Sequence, residues 1–147
     1  MSLWFEDIGI GDSHVTASHL VTEADIAAFC DLTRDHHPLH TDADYARAQG
    51  FPGIIAHGLY GLALMEGLKT ELKLYEESSI ASLGWNEVRF VRPVVAGDRV
   101  HVEMRFTSKR PSASRPAGVV TEAVDLCFAD GTRAITAEHV SLVKTRG

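Results

Sequence analysis

The segment from Gly58 to about Leu74 is apolar on most sides when it is drawn as a helix. Small residues within it, such as Gly61 and Gly67, allow other parts of the chain to approach closely. A helix that is apolar nearly all round must be buried. The chain has 147 residues, 45% of them apolar, which suits one domain with one core. The rest of the chain therefore has to surround this helix.

The second half of the chain contains strands that can cover the helix. Four apolar residues alternate with polar ones, which is the period of a half-buried strand: Val100, Val102, Met104 and Phe106. Gly97-Asp98 predicts a turn ahead of this strand, and Asp130-Gly131 predicts a hairpin. Further strands are predicted at Val88 to Phe90, Val119 to Ala129 and Thr132 to Val143. We therefore predict an α+β fold with residues 1–147 as a single domain, in which an antiparallel sheet is wrapped round a long central helix.

The first half contains two helix-start signals. Thr22 and Asp25 have the spacing of a capping box, and Pro38 is predicted to end the helix that begins there. The run Thr41-Asp42-Ala43-Asp44 predicts a second, short helix that ends at Gly50. The stretch from His14 to Val21 is predicted as a further strand before the first helix.

Charge and cysteine content exclude several classes of protein. With 14 basic and 20 acidic residues the net charge is −6, so a broad nucleic-acid-binding face is not expected. Cys30 and Cys127 are far apart, lie among apolar residues and form no CxxC pattern, so neither a disulfide nor a metal site is predicted. The N-terminus resembles no signal peptide, and the apolar run 54–65 is too short to cross a membrane. These features predict a cytoplasmic protein.

Four of the eight histidines lie between positions 36 and 57. Asp35 and His40 flank the turn that Pro38 fixes between the two predicted helices, so both side chains can point into one pocket. A carboxylate beside an imidazole can hold and polarise a water molecule. The spacing is equally compatible with a polar loop that caps the neighbouring helices, and Asp42 is expected to be such a cap.

The pair His57-Gly58 stands where the apolar helix begins. The first amides of a helix have no partner within the helix, and Gly58 has no side chain to shield them. An anion or a polarised carbonyl placed there would be stabilised by these amides and by the helix dipole. The alternative is that Gly58 only permits close packing. For His57 we expect a buried position and a hydrogen bond to a loop carbonyl beside the substrate site.

This combination of motifs resembles the MaoC-like hydratases of the hot-dog fold. It is carried by Asp35-x-x-Pro38-Leu39-His40-x-Asp42, Tyr45-Ala46, Phe51, Ile55-Ala56-His57-Gly58 and the later Gly97-Asp98. The resemblance covers most of the chain. It implies the reversible hydration of a trans-2-enoyl thioester of coenzyme A to the (R)-3-hydroxyacyl product. Asp35 and His40 would activate water, and the Gly58 amide would polarise the thioester carbonyl. No metal and no cofactor beyond the coenzyme A of the substrate is implied.

The sequence departs from the family pattern at three positions. Arg34 and His37 replace the more frequent Gly and Asn, and Glu66 stands where some members have Ser. Glu66 is a candidate for substrate contact, and it supports an alternative reading as a hot-dog thioesterase. Two further alternatives are a non-catalytic acyl-thioester-binding subunit and a metallohydrolase built on four residues, Asp35, His36, His40 and Asp42.

A basic cluster in the longest polar loop is the last candidate for substrate binding. Lys109, Arg110 and Arg115 lie there and could meet coenzyme A phosphates, although a solvated hairpin tip has the same composition. A small curved sheet would leave edge strands unpaired, so a homodimer or a higher homo-oligomer is predicted.

Overall fold

The computed structural model describes residues 1–147, and the four long strands of its antiparallel sheet lie in the second half of the chain. The strands are β1 (Ser13–Val15), β2 (His19–Leu20), β3 (Ser79–Phe90), β4 (Arg99–Pro111), β5 (Ala117–Phe128) and β6 (Arg133–Lys144). The helices are α1 (Glu23–Thr33), α2 (Pro38–Thr41), α3 (Ala43–Ala48) and α4 (Gly58–Glu71), and Phe5–Asp7 forms a 3-10 turn. The strand order is β1-β4-β5-β6-β3, and β2 pairs with β4 beyond β1.

Helix α4 packs against one face of the sheet, as its composition predicts. Tyr60, Met65 and Leu68 join the core with the inward residues of β4 and β5. The helix is not buried all round, however. Leu59, Ala63, Gly67 and Thr70 form an exposed stripe, and Leu59 is 65% exposed. One layer of sheet covers one side of a helix, so this single chain leaves an apolar stripe uncovered.

The predicted alternation of β4 is confirmed. Val100, Val102, Met104 and Phe106 are all buried on the face that α4 covers. The β5–β6 hairpin turns at Asp130-Gly131, where Gly131 has a φ of +86° and donates its N–H to the Phe128 carbonyl. The Gly97-Asp98 turn is present but joins no hairpin, because β3 lies at the far edge of the sheet and does not pair with β4. The predicted strand at 14–21 is split into β1 and β2, both paired with β4.

The capping box that opens α1 is confirmed. The Thr22 side chain accepts from the Asp25 N–H at 3.0 Å. The helix ends earlier than predicted, because Arg34 adopts a left-handed conformation with φ of +71° and caps it four residues before Pro38. The next helical turn begins at Pro38 itself, and Asp42 rather than Thr41 caps α3 by accepting from the Tyr45 N–H. The longest helix, α4, has 14 residues, and no helix is long and apolar enough to cross a bilayer.

Candidate active site

A pocket of about 570 Å³ lies where α1, the loop after it, the start of α4 and the end of β3 meet. Asp35, His40 and Gly58 all line it. The remaining walls are mostly apolar and include Phe29, Phe51, Ile55, Leu59, Phe90, Val94 and Ile135. The sequence prediction that the loop and the start of the apolar helix face one cavity is therefore confirmed in geometry.

The left-handed turn at Arg34 positions Asp35. The Arg34 N–H donates to the Cys30 carbonyl at 2.7 Å, so the chain leaves α1 abruptly and directs the next residue toward α4. Glycine adopts this conformation without strain, whereas it is uncommon for a residue with a side chain such as Arg34. Asp35 remains half exposed, with one carboxylate oxygen accepting from the His37 N–H at 3.3 Å.

His37 and Pro38 position His40. The Nδ1 atom of His37 accepts from the Leu39 N–H at 3.1 Å, so a histidine caps α2. Pro38 occupies the first helical position, where its missing N–H costs nothing. His40, in the same single turn of helix, then faces the pocket while His37 stays exposed.

The hydrogen bonds of His40 fix its tautomer. Its Nδ1 lies 2.7 Å from the Ile55 carbonyl oxygen, which can only accept, so Nδ1 carries the proton. The lone pair of Nε2 is then free for a proton from a ligand or water. Burial lowers the pKa of His40, and the neighbouring His57 adds to this, although the bond to Ile55 and the Asp35 charge act in the opposite direction. His40 is therefore a neutral base near pH 7.

His57 contacts both catalytic candidates, Asp35 and His40, from the buried side. It is buried, and its Nε2 donates to the Asp35 main-chain carbonyl at 3.0 Å and lies 3.6 Å from the Cys30 sulfur. Its ring stacks on His40 with centroids 3.7 Å apart. The predicted bond from His57 to a loop carbonyl is confirmed. It joins the end of α1 to the start of α4, so these contacts set the position of Asp35 and His40 relative to Gly58.

The start of α4 leaves little room for a side chain. A Cβ at Gly58 would lie 2.6 Å from the Phe90 ring, and a Cβ at Gly61 would lie 2.5 Å from Cδ1 of Ile135. Gly58 is the first residue of the helix, so its N–H has no partner within the helix. An acceptor in the pocket can therefore reach the positive end of the helix dipole.

Asp35, His40 and His57 are also close enough together to hold a metal ion. The ligand atoms of Asp35, His40 and His57 lie within 4.8 Å of one another. The four-residue metallohydrolase set is not assembled, because the His36 ring pairs with Asp31 at 3.0 Å and Asp42 caps α3. One nitrogen each of His40 and His57 is already committed to a main-chain carbonyl. The arrangement fits acid–base chemistry on a water molecule without further change.

Glu66 does not line this pocket, and its contact with the substrate stays a prediction. Eight residues separate it from Gly58, about 12 Å along a helix. It instead approaches a buried ionic cluster, in which one of its oxygens lies 3.5 Å from His139 Nε2 and the other 4.0 Å from Lys69 Nζ. The carboxylate on which the thioesterase hypothesis depends is therefore not in this pocket.

The predicted basic cluster is also remote from the pocket. Lys109 Nζ donates to the Phe5 carbonyl at 2.9 Å, and Arg110 and Arg115 lie at the β4–β5 end of the sheet. Arg110 pairs with Val119, seven residues along β5 from the residue opposite Ile135, which corresponds to about 23 Å. These three residues therefore do not line the pocket of their own chain, and their contact with coenzyme A stays a prediction.

Arg92 is the cation that lines the pocket, and it was not predicted from the sequence. Its guanidinium donates to the Thr132 hydroxyl at 2.8 Å and lies 4.3 Å from the centre of the Phe128 ring. It belongs to no recognisable motif. Only the packing of the β5–β6 hairpin against the end of β3 brings it to the mouth of the pocket.

The fold and this site agree with the comparisons to known proteins. The family described as "MaoC like domain" matches residues 9–126, so the chain belongs to the MaoC-like hydratase/dehydratase family. The chain is 33% identical over 120 residues to the (R)-specific enoyl-CoA hydratase of Aeromonas caviae, covering 80% of this chain and 82% of that protein. The crystal structure of the MaoC-like dehydratase from Rhodospirillum rubrum superposes with a TM-score of 0.89 at 30% identity, covering 99% of each chain.

Two further relatives show the type of fold and how much of each relative this chain covers. A double hot-dog protein from Mycobacterium tuberculosis superposes with a TM-score of 0.84 at 20% identity over 98% of this chain and 44% of that one, so the predicted hot-dog fold is confirmed. Protein MaoC of Klebsiella aerogenes is 36% identical over 107 residues, which cover 73% of this chain but 31% of that protein. The chain spans 31% to 54% of the length of the first curated relatives that it matches.

Proposed function

We propose that this protein reversibly adds water to a trans-2-enoyl thioester of coenzyme A and gives the (R)-3-hydroxyacyl thioester. The observation that carries the proposal is the convergence of the Asp35 carboxylate, the unprotonated His40 Nε2 and the start of α4 on one mostly apolar pocket. The family membership and the named hydratase relative support the same reaction class.

Asp35 and His40 move protons in this reaction, and the start of α4 stabilises charge. Asp35 and His40 hold a water molecule between them, and the pair takes a proton from it as the oxygen bonds to C3 of the substrate. The same pair returns a proton to C2, so no proton is gained or lost overall. Negative charge that develops on the thioester oxygen is met by the Gly58 N–H and the dipole of α4. No metal and no cofactor other than the substrate's own coenzyme A takes part.

The pocket also supports a division of the substrate into two parts. The apolar residues Phe51, Ile55 and Ile135 suit the acyl chain, and Arg92 suits a phosphate of the carrier. The edge strand β3 and the uncovered stripe of α4 support a two-fold homodimer.

The test is the hydration of a panel of enoyl-CoA substrates by Asp35→Asn and His40→Ala variants, followed through the absorbance of the conjugated thioester. We expect each variant to fold and to lose about 10²- to 10⁴-fold in kcat. Wild-type rates in both variants would refute the assignment.

A thiol-release assay on the same samples separates hydration from thioester hydrolysis. Hydration leaves the thioester intact, so no free thiol is expected from the wild-type protein or from Glu66→Gln. Rapid thiol release that disappears in Glu66→Gln would establish the thioesterase instead.

A further inference from the structure

We propose that His101, Glu103 and Cys127 bind one zinc ion on the face of the sheet opposite α4. The sheet register brings the three residues together. His101 and Glu103 are two positions apart on β4, so their side chains leave the same face. Cys127 is the β5 partner of His101 in that register. The residues on either side of His101, Val100 and Val102, point into the core.

The distances are those of a nearly assembled site. The Nε2 atom of His101 lies 3.0 Å from a carboxylate oxygen of Glu103. One ligand atom from each of the three residues lies within 4.8 Å of the other two. Cys127 is buried, His101 is 19% exposed and Glu103 is 41% exposed, so the cluster opens to solvent on the carboxylate side.

The donor set matches the preferences of zinc. Zinc takes imidazole nitrogen, thiolate sulfur and carboxylate oxygen at about 2.0 to 2.3 Å, in tetrahedral geometry. Ligand atoms within 4.8 Å of one another reach these distances by small side-chain rotations. The Cys127 thiol releases one proton on binding, and the thiolate and carboxylate then balance the charge of the ion.

The fourth coordination position falls to water. Asp125 is the register partner of Glu103 and shares its face, but its carboxylate is held by the Arg133 Nε at 2.7 Å. The site is separated from Asp35 and His40 by the thickness of the sheet and its core. Zinc bound there stabilises the β4–β5 pair and takes no part in hydration, so this inference does not depend on the proposed function.

Cobalt(II) is the probe for the experiment, because a cysteine–cobalt bond adds a charge-transfer band in the near ultraviolet. We expect protein dialysed against chelator to bind one equivalent of Co²⁺ with this band, and zinc to displace it. Since outer-shell partners alone are worth about 10- to 100-fold in affinity, we expect Cys127→Ser, His101→Gln and Glu103→Gln each to weaken binding more than about 100-fold.

Two variants are matched controls. Cys30→Ser removes the only other thiol, and His36→Gln removes another histidine that pairs with a carboxylate. Both should keep the cobalt band. Zinc should also raise the melting temperature of the wild-type protein but not that of Cys127→Ser, and the melting curves show that each variant is folded.

Three results would overturn the site. One is the absence of a thiolate–cobalt band in the wild-type protein. Another is a band that survives in Cys127→Ser and disappears in Cys30→Ser, because the ion would then lie beside His57 in the pocket. The third is cobalt affinity unchanged in both His101→Gln and Glu103→Gln.

Discussion

At the residue scale, the chemistry of the pocket depends on which nitrogen of His40 carries the proton. The Ile55 carbonyl selects the Nδ1–H tautomer, so Nε2 faces the pocket as a base. His57 holds the carbonyl of Asp35 and stacks on His40, so one buried side chain positions both catalytic candidates. The pocket therefore depends on main-chain carbonyls as much as on the two reactive side chains.

We expect the pH dependence of kcat/KM to report the buried state of His40. The neutral ring is the base, and burial lowers its pKa below the usual 6.5, so activity is retained as the pH falls through 6.5 and is lost only at lower pH. His36 is the control, because the hydrogen bond that its ring donates to the Asp31 carboxylate raises its pKa, and His36→Gln should leave the profile unchanged. An acidic limb above pH 6.5 would contradict the assignment of His40 as this base.

Arg92→Met should raise KM for a coenzyme A thioester up to about fivefold and leave kcat unchanged, because an exposed ion pair is worth up to about 1 kcal/mol. A truncated thioester that lacks the phosphates should show no change. Arg47→Met is the matched control, an exposed arginine near a carboxylate that does not line the pocket. Equal losses with both substrates would assign Arg92 a structural role instead.

The residues of the pocket and of the proposed zinc site differ in how far they can be predicted from the sequence. Asp35, His40 and Gly58 belong to a local motif, so their convergence could be predicted. Arg92 and His101 could not, because their neighbours come from strands distant in the chain and depend on register. Lys109 was proposed from a local basic cluster alone, and in the structure its ammonium group donates to the Phe5 carbonyl.

At the scale of elements, α4 has two differently stabilised halves. Its first turn faces the pocket, while its last turns carry Lys69 into a buried cluster with Glu122. Lys69 donates to Glu122 at 2.5 Å, and Tyr75 donates to the same carboxylate at 2.6 Å. Burial alone would raise the pKa of Glu122, but hydrogen bonds from His139, Lys69 and Tyr75 and the Lys69 charge lower it. This contribution to stability is therefore present above the unfolded-state pKa and is lost as the pH falls through the folded one.

Lys69→Met should lower the free energy of unfolding by about 3–5 kcal/mol, because it leaves a buried carboxylate without its cation. Denaturant unfolding monitored by circular dichroism measures the change. Lys73→Met, at an exposed position four residues on, should stay within about 0.5 kcal/mol of the wild type. Equal effects of the two changes would show that the buried pair contributes little.

At the scale of the whole molecule, the fold was predictable because its apolar residues recur with clear helix and strand periods. The polar residues between them fall consistently on the opposite face. The apolar helix and the alternating strand specify what must pack against what. The exposed side of α4 was not predictable, because composition indicates how much surface must be buried but not by which chain. The early end of α1 was missed for a local reason, the left-handed conformation of Arg34, which is rare for a residue with a side chain.

Light scattering at micromolar concentration should give about twice the chain mass of 16.0 kDa, because the long edge strand β3 can pair with a second copy. A double change of Ile80 and Leu83, which are 39% and 52% exposed on that strand, to lysine should shift the protein toward the monomer.

Val15→Lys is the control for this prediction, since Val15 is 62% exposed on β1 at the opposite edge and its change should leave the mass at the dimer value. A wild-type protein of monomer mass with full hydratase activity would exclude the dimer and any pocket shared between subunits.

The contact between Gly61 and Ile135 has a consequence for substrate range. Both residues line the pocket, and Cδ1 of Ile135 occupies the space that a methyl group on Gly61 would need. In the proposed reaction, the size of the side chain at position 135 therefore limits how deep an acyl tail can extend, while water activation depends on a different loop. Members of a lineage could exchange residue 135 and move from short to long tails without altering the catalytic step, so chain-length preference and reaction type can evolve separately.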